Sequence, residues 1–136
     1  EGSITAFYTI LADGDDNNDP VVDTARAILD GHIVLSRLNA QMGIYPAVDV
    51  SSSISRVMND LVSSEHTNAA KIFRKHITNY IENKDLLLMG GYTQGHDKDI
   101  DDAITMWPRI INFITQPHNQ KADYESSISE LLTLYN

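Results

Sequence analysis

The sequence predicts a fold that passes from α/β to mainly α, with the change near residue 62. In residues 4–11, both alternating faces are apolar or β-favouring, which is typical of a strand covered on both sides in a parallel sheet. From residue 63 onward, apolar residues recur at helical spacing. We therefore divide the chain into residues 1–62 and residues 63–136. Because two strands do not form a stable sheet alone, we expect the first segment to be the end of a larger sheet.

The first segment contains a helix that directly follows an acidic, Asn-rich loop. Asp19 is a favourable N-cap, and Pro20 suits the first helical position. The helix is expected to run to Asp30, where Gly31 supplies a C-cap. The elements expected next are a short buried strand over residues 32–35, a helix over residues 36–42 closed by Gly43, and an irregular stretch over residues 44–62.

The second segment is expected to consist of three amphipathic helices. The first spans residues 64–84 with Ser64 as its cap, and a glycine-rich turn follows it. The second covers residues 100–114, where Pro108 should kink or restart the helix. Asp123 is expected to cap the last helix, whose inward residues are Ile128, Leu131 and Leu132.

The composition excludes several classes of function. Ten basic and nineteen acidic residues give a net charge of −9, which argues against nucleic acid and anionic membrane surfaces as partners. Cysteine is absent, so disulfides, thiolate metal sites and cysteine nucleophiles are excluded. The longest apolar run, residues 86–89, is too short to span a bilayer. These features indicate a soluble globular protein.

No metal site is predicted. The acidic run in residues 13–18 resembles a calcium loop, but Asn18 stands where glycine is needed and Thr24 where a bidentate glutamate is needed. We interpret this run as a solvated loop before a helix cap. The five histidines lack zinc-ligand spacing. Phosphate-binding, dinucleotide-binding and serine-nucleophile motifs are also absent from this sequence.

Two residues are candidates for a functional role, and each has a structural alternative. Arg56 follows a polar, serine-rich stretch, where an arginine commonly forms a surface ion pair. The functional alternative is an arginine finger, whose planar guanidinium stabilises the charge of phosphoryl transfer. Tyr45 precedes Pro46 and could stack on a nucleobase or pack against its neighbours. Residue chemistry alone leaves both choices open.

Several stretches of the chain resemble the flagellar and type III secretion ATPases. The resemblance is dense through about residue 62 and thinner, but still in register, to the C-terminus. The segment GIYPAVD at residues 43–49 is also similar to the β subunit of F-type ATP synthases. DDAI at residues 101–104, followed by Trp107-Pro108, looks more like the flagellar branch. The family stretches are GSITAFYT at 2–9, ILDGHIVLSR at 28–37, YPAVDV at 45–50 and SISRVM at 53–58.

The resemblance implies a homohexameric, rotary-type ATPase that energises protein export. In this family a RecA-like domain binds ATP and Mg²⁺ between subunits, and a C-terminal helical domain faces export chaperones and substrates. Residues 1–62 would then be the last part of the RecA-like domain, and residues 63–136 the helical domain. The family's phosphate loop and Mg²⁺-linked residues would precede Glu1, so the isolated chain is expected to hold no nucleotide tightly and to be inactive.

The same resemblance assigns roles to single residues. Arg56 matches the family arginine that reaches into the neighbouring subunit's ATP site. Tyr45 matches the tyrosine that lies against adenine within its own subunit of the synthase. The segment Gln116-Pro117-His118 resembles the synthase segment with a second adenine-side aromatic residue, but His118 replaces the phenylalanine. No metal ligand is assigned within this chain.

The partners implied are further copies of the chain, export chaperones and substrates, and stalk and stator-like export proteins. The implied location is the cytoplasm, peripheral to the inner-membrane export apparatus. Two alternatives stay open at the level of sequence. One is a non-catalytic interaction module that docks export chaperones or other export components. The other is a degenerate or regulatory relative that binds no nucleotide.

Overall fold

The computed structural model describes residues 2–12 and 19–135, which form six helices and one two-stranded sheet. The acidic run considered as a calcium loop lies outside the described residues. In chain order the elements are α1 (Pro20–Ile28), β1 (Gly31–Leu35), α2 (Arg37–Gln41), β2 (Val48–Ser55), α3 (Met58–Leu61), α4 (Ser64–Leu88), α5 (Lys98–Ile114) and α6 (Tyr124–Thr133). This order confirms the predicted change from α/β to all-helical structure.

The sheet consists of β1 and β2, which pair antiparallel, whereas the strand expected at residues 4–11 was of the kind found in parallel sheets. Gly31 lies opposite Ser55 and Leu35 opposite Val48, but the register shifts between these ends. Residues 50–53 stand opposite Ile33 alone, which makes a four-residue bulge in β2. The prediction that residues 44–62 are irregular is therefore wrong. The stretch is rich in serine and aspartate residues, whose side chains hydrogen-bond to the nearby backbone. These residues obscure the alternation of apolar and polar positions that indicates a strand.

The predicted strand over residues 4–11 is also wrong. Residues 2–12 have no regular secondary structure, and Phe7 is 92% exposed. A pattern that is apolar on both faces indicates which residues a strand would bury if it formed. The strand itself forms only beside a neighbouring strand with which it can pair. In the part of the chain that the structure describes, β1 and β2 pair with each other alone. The predicted strand over residues 32–35 is confirmed as β1, whereas the second strand of the described residues is β2 and not residues 4–11.

Helix α1 begins where it was predicted and ends earlier. Asp19 Oδ1 accepts a hydrogen bond from the Val21 N–H at 2.8 Å, which confirms the N-cap. The C-cap is Leu29, which has extended dihedral angles, and not Gly31. Gly31 instead opens β1, where an added Cβ would lie 2.6 Å from the Ile54 carbonyl oxygen. Glycine is required here by the close approach of the two strands.

The helices of the second segment largely follow the prediction. Helix α4 is capped by Ser63 rather than Ser64 and runs four residues further than expected, to Leu88. Helix α5 continues through Pro108 without restarting, since it is held by packing on both sides of the proline. Trp107 stacks on Tyr80 of α4, with ring centroids 3.8 Å apart. Asp123 caps α6 as predicted, through a bond from the Ser126 N–H.

A single hydrophobic core lies between α4, α5 and α6. Phe73 and Ile77 of α4 meet Ile110 of α5 and Leu131 of α6 there. Phe73 also makes an edge-to-face contact with Phe113, with centroids 5.4 Å apart. Among the described residues before position 63, only Ile44 is buried. The core of this chain therefore belongs to its helical segment.

Candidate functional site

Tyr45 lies in the short loop between α2 and β2. Gly43 has φ +75°, a conformation that glycine adopts without strain, and it turns the chain after α2. Ile44 is buried, and its N–H donates to the Asn39 carbonyl oxygen at 2.9 Å. The next side chain, Tyr45, is 55% exposed. An anchored backbone thus presents an accessible aromatic ring.

The Tyr45 loop contacts the segment that follows α5. The Gln116 N–H donates to the Tyr45 carbonyl oxygen at 2.7 Å. The Gln116 side chain in turn donates to the Gln120 carbonyl oxygen at 2.6 Å, and His118 is exposed in the same turn. The structure therefore brings together the two segments for which the resemblance implied adenine contacts. The role of His118 stays a prediction.

Asp49 organises the first part of the β2 bulge. Its carboxylate accepts hydrogen bonds from the Ser51 hydroxyl at 2.6 Å and from the Ser52 hydroxyl and N–H at 2.8 and 3.1 Å. Burial raises the pKa of Asp49, but these hydrogen bonds outweigh that effect and hold the pKa below its usual value. The ionised carboxylate fixes the chain where ladder bonds are interrupted.

Ser53 bridges the bulge with its hydroxyl group. The hydroxyl accepts from the Val34 N–H at 2.9 Å and donates to the Asp49 carbonyl oxygen at 2.5 Å. A side chain thereby takes up the β1 donor at the point where the strand register shifts. The serine cluster is part of the strand structure and does not form a polar loop.

Arg56 directly follows β2 and has an anchored backbone. Its N–H donates to the Asp30 carbonyl oxygen at 2.8 Å. The side chain is exposed, and its Nη2 donates to the Arg26 carbonyl oxygen at 3.1 Å. That carbonyl lies in the last turn of α1, where the helix dipole favours a positive charge. The guanidinium is therefore held at the edge of the fold and is accessible from outside.

Arg56 and Tyr45 are not brought together by the fold. Tyr45 precedes β2 and Arg56 directly follows it, and the two ends of β2 pair with the two opposite ends of β1, Leu35 and Gly31. The two residues therefore lie next to opposite ends of the strand pair. Each is accessible at its own end of β2.

Arg74 is a contact of this region that sequence reasoning missed. It lies on α4, and its Nη2 donates to the Ser53 carbonyl oxygen at 2.9 Å. Val50 of the bulge packs on the helical core nearby. The bulge is therefore attached to α4 by a polar contact and to the core of the helical segment by an apolar one. No local pattern could have indicated this, because an arginine on an exposed helix face usually only faces solvent.

Ionisable groups also line the contact between α4 and the rest of the helical segment. Lys75 Nζ lies 2.7 Å from Asp99 Oδ2, so α4 and α5 share an ion pair. His76 Nδ1 lies 3.3 Å from the Tyr135 hydroxyl. Burial lowers the pKa of His76, while Asp102 has the opposite effect. Burial raises the pKa of Tyr135 to about 12.

The described ranges, 2–12 and 19–135, contain neither a cluster of metal-binding side chains nor a helix that could span a membrane. Within them, no group of three or more histidine, aspartate or glutamate side chains is placed to hold a metal ion. None of the helices in those ranges is long and apolar enough to cross a membrane.

Comparison with known proteins identifies the family. The model of the ATP synthase alpha/beta family, nucleotide-binding domain, matches residues 1–55, and that of the T3SS EscN ATPase C-terminal domain matches residues 62–133. The flagellum-specific ATP synthase of Salmonella typhimurium is 48% identical over 130 residues, which cover 96% of this chain and 28% of that protein. The chain thus spans less than a third of that relative's length.

Solved structures agree with the sequence matches. The assembled ATPase EscN of the enteropathogenic E. coli type III secretion system has a TM-score of 0.89 at 44% identity, over 97% of this chain and 32% of that one. The structure of EscN with its central stalk EscO has a TM-score of 0.78 at 42% identity, over 85% of this chain and 28% of that one. The chain belongs to the family of the flagellar and type III secretion ATPases, and it represents the C-terminal portion of their fold.

Proposed function

We propose that this chain is the C-terminal portion of a homohexameric ATPase that energises flagellar or type III protein export by hydrolysing ATP at subunit interfaces. The match to flagellar and type III ATPases over nearly the whole chain supports this function. The exposed apolar residues of the first segment support a larger nucleotide-binding domain, because such residues usually pack against a neighbour. They include Val21, Ile28, Ile33 and Leu35. Residues 1–62 are assigned to that domain and residues 63–136 to the helical domain.

Arg56 is the arginine finger in this proposal. The observation behind it is the combination of a fixed backbone and an exposed guanidinium, held to the Asp30 and Arg26 carbonyl oxygens. Because Arg56 faces outward, it can reach a nucleotide that is bound by the next subunit. Its planar fork would stabilise the charge that develops on the transferred phosphoryl group.

Tyr45 is assigned to the adenine side of a different nucleotide site, the one in its own subunit. The positions of Tyr45 and Arg56 at opposite ends of β2 support this assignment. Each residue would then contribute to a different subunit interface. The exposed ring can stack on a base, and the bond from Gln116 holds the loop that carries it.

ATP and Mg²⁺ are the substrate and cofactor of the longer protein in this proposal. The described residues fit the edges of a nucleotide site and include no cluster that fits Mg²⁺. We therefore assign the phosphate and Mg²⁺ ligands to the part of the relatives that this chain does not cover. The chain alone is accordingly expected to show no ATP hydrolysis.

The helical domain is assigned to contacts with export chaperones, substrates and stalk or stator-like proteins at the export apparatus. A solved complex of the related EscN with its central stalk EscO supports a stalk partner. Exposed Leu88 and Met89 at the end of α4 offer apolar surface for such contacts. A non-catalytic interaction module is the second candidate, because the helical segment has its own core.

The function is tested by Arg56→Ala in the intact ATPase that contains this chain. Turnover of ATP is expected to fall by a factor on the order of 10³–10⁵, with nucleotide binding little changed, since the finger acts on the transition state. Arg109→Ala is the matched control, because Arg109 is also exposed and also bonds a helix carbonyl, that of Thr133. Equal turnover in the two variants would assign a structural role to Arg56, whereas an intact protein that does not turn over ATP would favour the interaction module.

A further inference from the structure

Ser53 is the last residue of the β2 bulge, and the chain runs from it directly to Arg56. The bulge is attached to α4 at this residue. Arg74 Nη2 donates to the Ser53 carbonyl oxygen at 2.9 Å. Arg74 follows Phe73, whose buried ring fixes this part of α4 in the helical core. The position of the Arg74 guanidinium is therefore tied to the core of the helical segment.

Ser53 depends on side-chain contacts more than a residue of regular sheet does. The backbone pairing of β1 and β2 is interrupted between His32 and Val34, opposite residues 50–53. Ser53 is held by its own hydroxyl, which bonds to Val34 and Asp49, and by the guanidinium of Arg74. Removal of the Arg74 contact would leave this part of the bulge without its bond to α4.

The chain from Ser53 to Arg56 is short and extended. Ile54 pairs with His32, Ser55 pairs with Gly31, and the Arg56 N–H bonds to the Asp30 carbonyl oxygen. Only two residues separate Ser53 from Arg56, and both lie in the strand. A shift of Ser53 along or across the sheet is therefore passed to the base of the Arg56 side chain.

We infer that Arg74 is a positioning residue for Arg56, through which α4 sets the place of the arginine finger. The inference rests on the proposed function of Arg56. It links the helical domain, where partners are expected to dock, to the reacting phosphoryl group in the neighbouring subunit. The contact is a charge-assisted hydrogen bond from an exposed side chain, so its effect on turnover is a fraction of that of Arg56 itself.

The test compares four variants of the intact ATPase: Arg74→Ala, Arg74→Lys, Arg56→Ala and the control Arg109→Ala. Arg74→Ala is expected to lower kcat about fivefold to tenfold, with KM for ATP changed less than about twofold. The reason is that a misplaced finger reduces the stabilisation of the transition state and leaves the binding of ATP largely intact. Arg74→Lys keeps a donor that can reach the Ser53 carbonyl and should restore about half of the loss. Arg109→Ala should match the parent protein in kcat.

A double variant separates action through Arg56 from general damage. If Arg74 acts through Arg56, Arg56→Ala/Arg74→Ala is no slower than Arg56→Ala alone, whereas independent effects would multiply. A melting temperature for each variant accounts for changes in folding, and Arg74→Lys decides the matter if Arg74→Ala does not fold.

The outcomes distinguish the two proposals. Turnover unchanged in Arg56→Ala would overturn the proposed finger role of Arg56 and this inference with it. A large loss in Arg56→Ala, together with kcat in Arg74→Ala equal to that of Arg109→Ala, would overturn the inference alone. Multiplicative losses in the double variant would also overturn it. Loss of kcat in Arg74→Ala, recovery in Arg74→Lys and no further loss in the double variant would support it.

Discussion

The two segments of this chain bury their apolar residues to very different extents. Helices α4, α5 and α6 enclose Phe73, Ile77, Ile110 and Leu131, whereas the described residues before position 63 bury Ile44 alone. Hydrophobic burial is the main favourable term in folding, so the stability of this chain resides in its helices. The strand pair is held by hydrogen bonds, by the Asp49 and Ser53 side chains, and by its attachment to α4.

The largest expected effect tests this difference in burial by removing an aromatic ring from each segment in turn. Phe73→Ala is expected to lower the free energy of unfolding by about 3–5 kcal/mol, because a cavity opens in the core. Phe7→Ala is the matched control, since that ring is 92% exposed, and it should change stability little. Denaturant unfolding followed by Trp107 fluorescence measures both, because this single tryptophan stacks within the helical segment. Equal losses would contradict the difference between the segments.

A substitution in the strand pair tests whether the two segments are stabilised separately. In Gly31→Ala, the new Cβ would lie 2.6 Å from the Ile54 carbonyl oxygen, so the strands must separate at a cost of about 1–3 kcal/mol. Amide exchange at Arg56, whose N–H bonds to Asp30 nearby, should become faster, while the Trp107 transition stays in place.

The control for this variant is Gly2→Ala, which adds its Cβ in open space and should leave the Arg56 exchange rate unchanged. If amide exchange at Arg56 were as slow in Gly31→Ala as in the parent, the pairing of the strands would not depend on their close approach at Gly31. A large shift of the Trp107 transition would show that the two segments unfold as one.

The smallest expected effect is a pH dependence within the helical segment. Burial lowers the folded-state pKa of His76 below the usual 6.5, so near and below pH 6.5 the unfolded state binds more protons. The contribution of His76 is therefore fully present above about pH 6.5 and is lost as pH falls toward its folded-state pKa. Asp102 and Asp99 oppose the shift, and Lys75 adds to it.

The measurement is denaturant unfolding at several pH values between about 7.5 and 5.5. His76→Asn should flatten the loss of stability on acidification. His96→Asn, in the exposed turn before α5, should leave the slope as it is in the parent. Parallel slopes in the parent and His76→Asn would contradict the assignment to this histidine.

Local signals in the sequence predicted much of the fold. The caps at Asp19 and Asp123 were predicted correctly, because a cap depends only on residues within one turn. The strand over residues 4–11 was not, because the pattern records potential burial and not the presence of a neighbouring strand. Strand β2 was missed because side-chain bonds of Asp49 and Ser53 replace regular pairing.

The candidate site was predictable only in part. Arg56 and Tyr45 were found through a family resemblance. Their chemistry alone was equally compatible with structural roles, a surface ion pair for Arg56 and packing against neighbouring residues for Tyr45. The contact of Arg74 with Ser53 joins residues 21 positions apart, and that of Gln116 with Tyr45 joins residues much further apart in the chain. Contacts of this range follow from how helices pack, which single-sequence patterns do not specify.

Those two contacts together limit how the strand pair can move on the helices. The Gln116 N–H holds the Tyr45 loop at one end of β2, and the Arg74 guanidinium holds the bulge near the other end. Val50 packs on the helical core between these two hydrogen bonds in the sequence. The strand pair is thus attached to the helical segment beside the Tyr45 loop and again three residues before Arg56, so both candidate residues lie next to an anchoring contact.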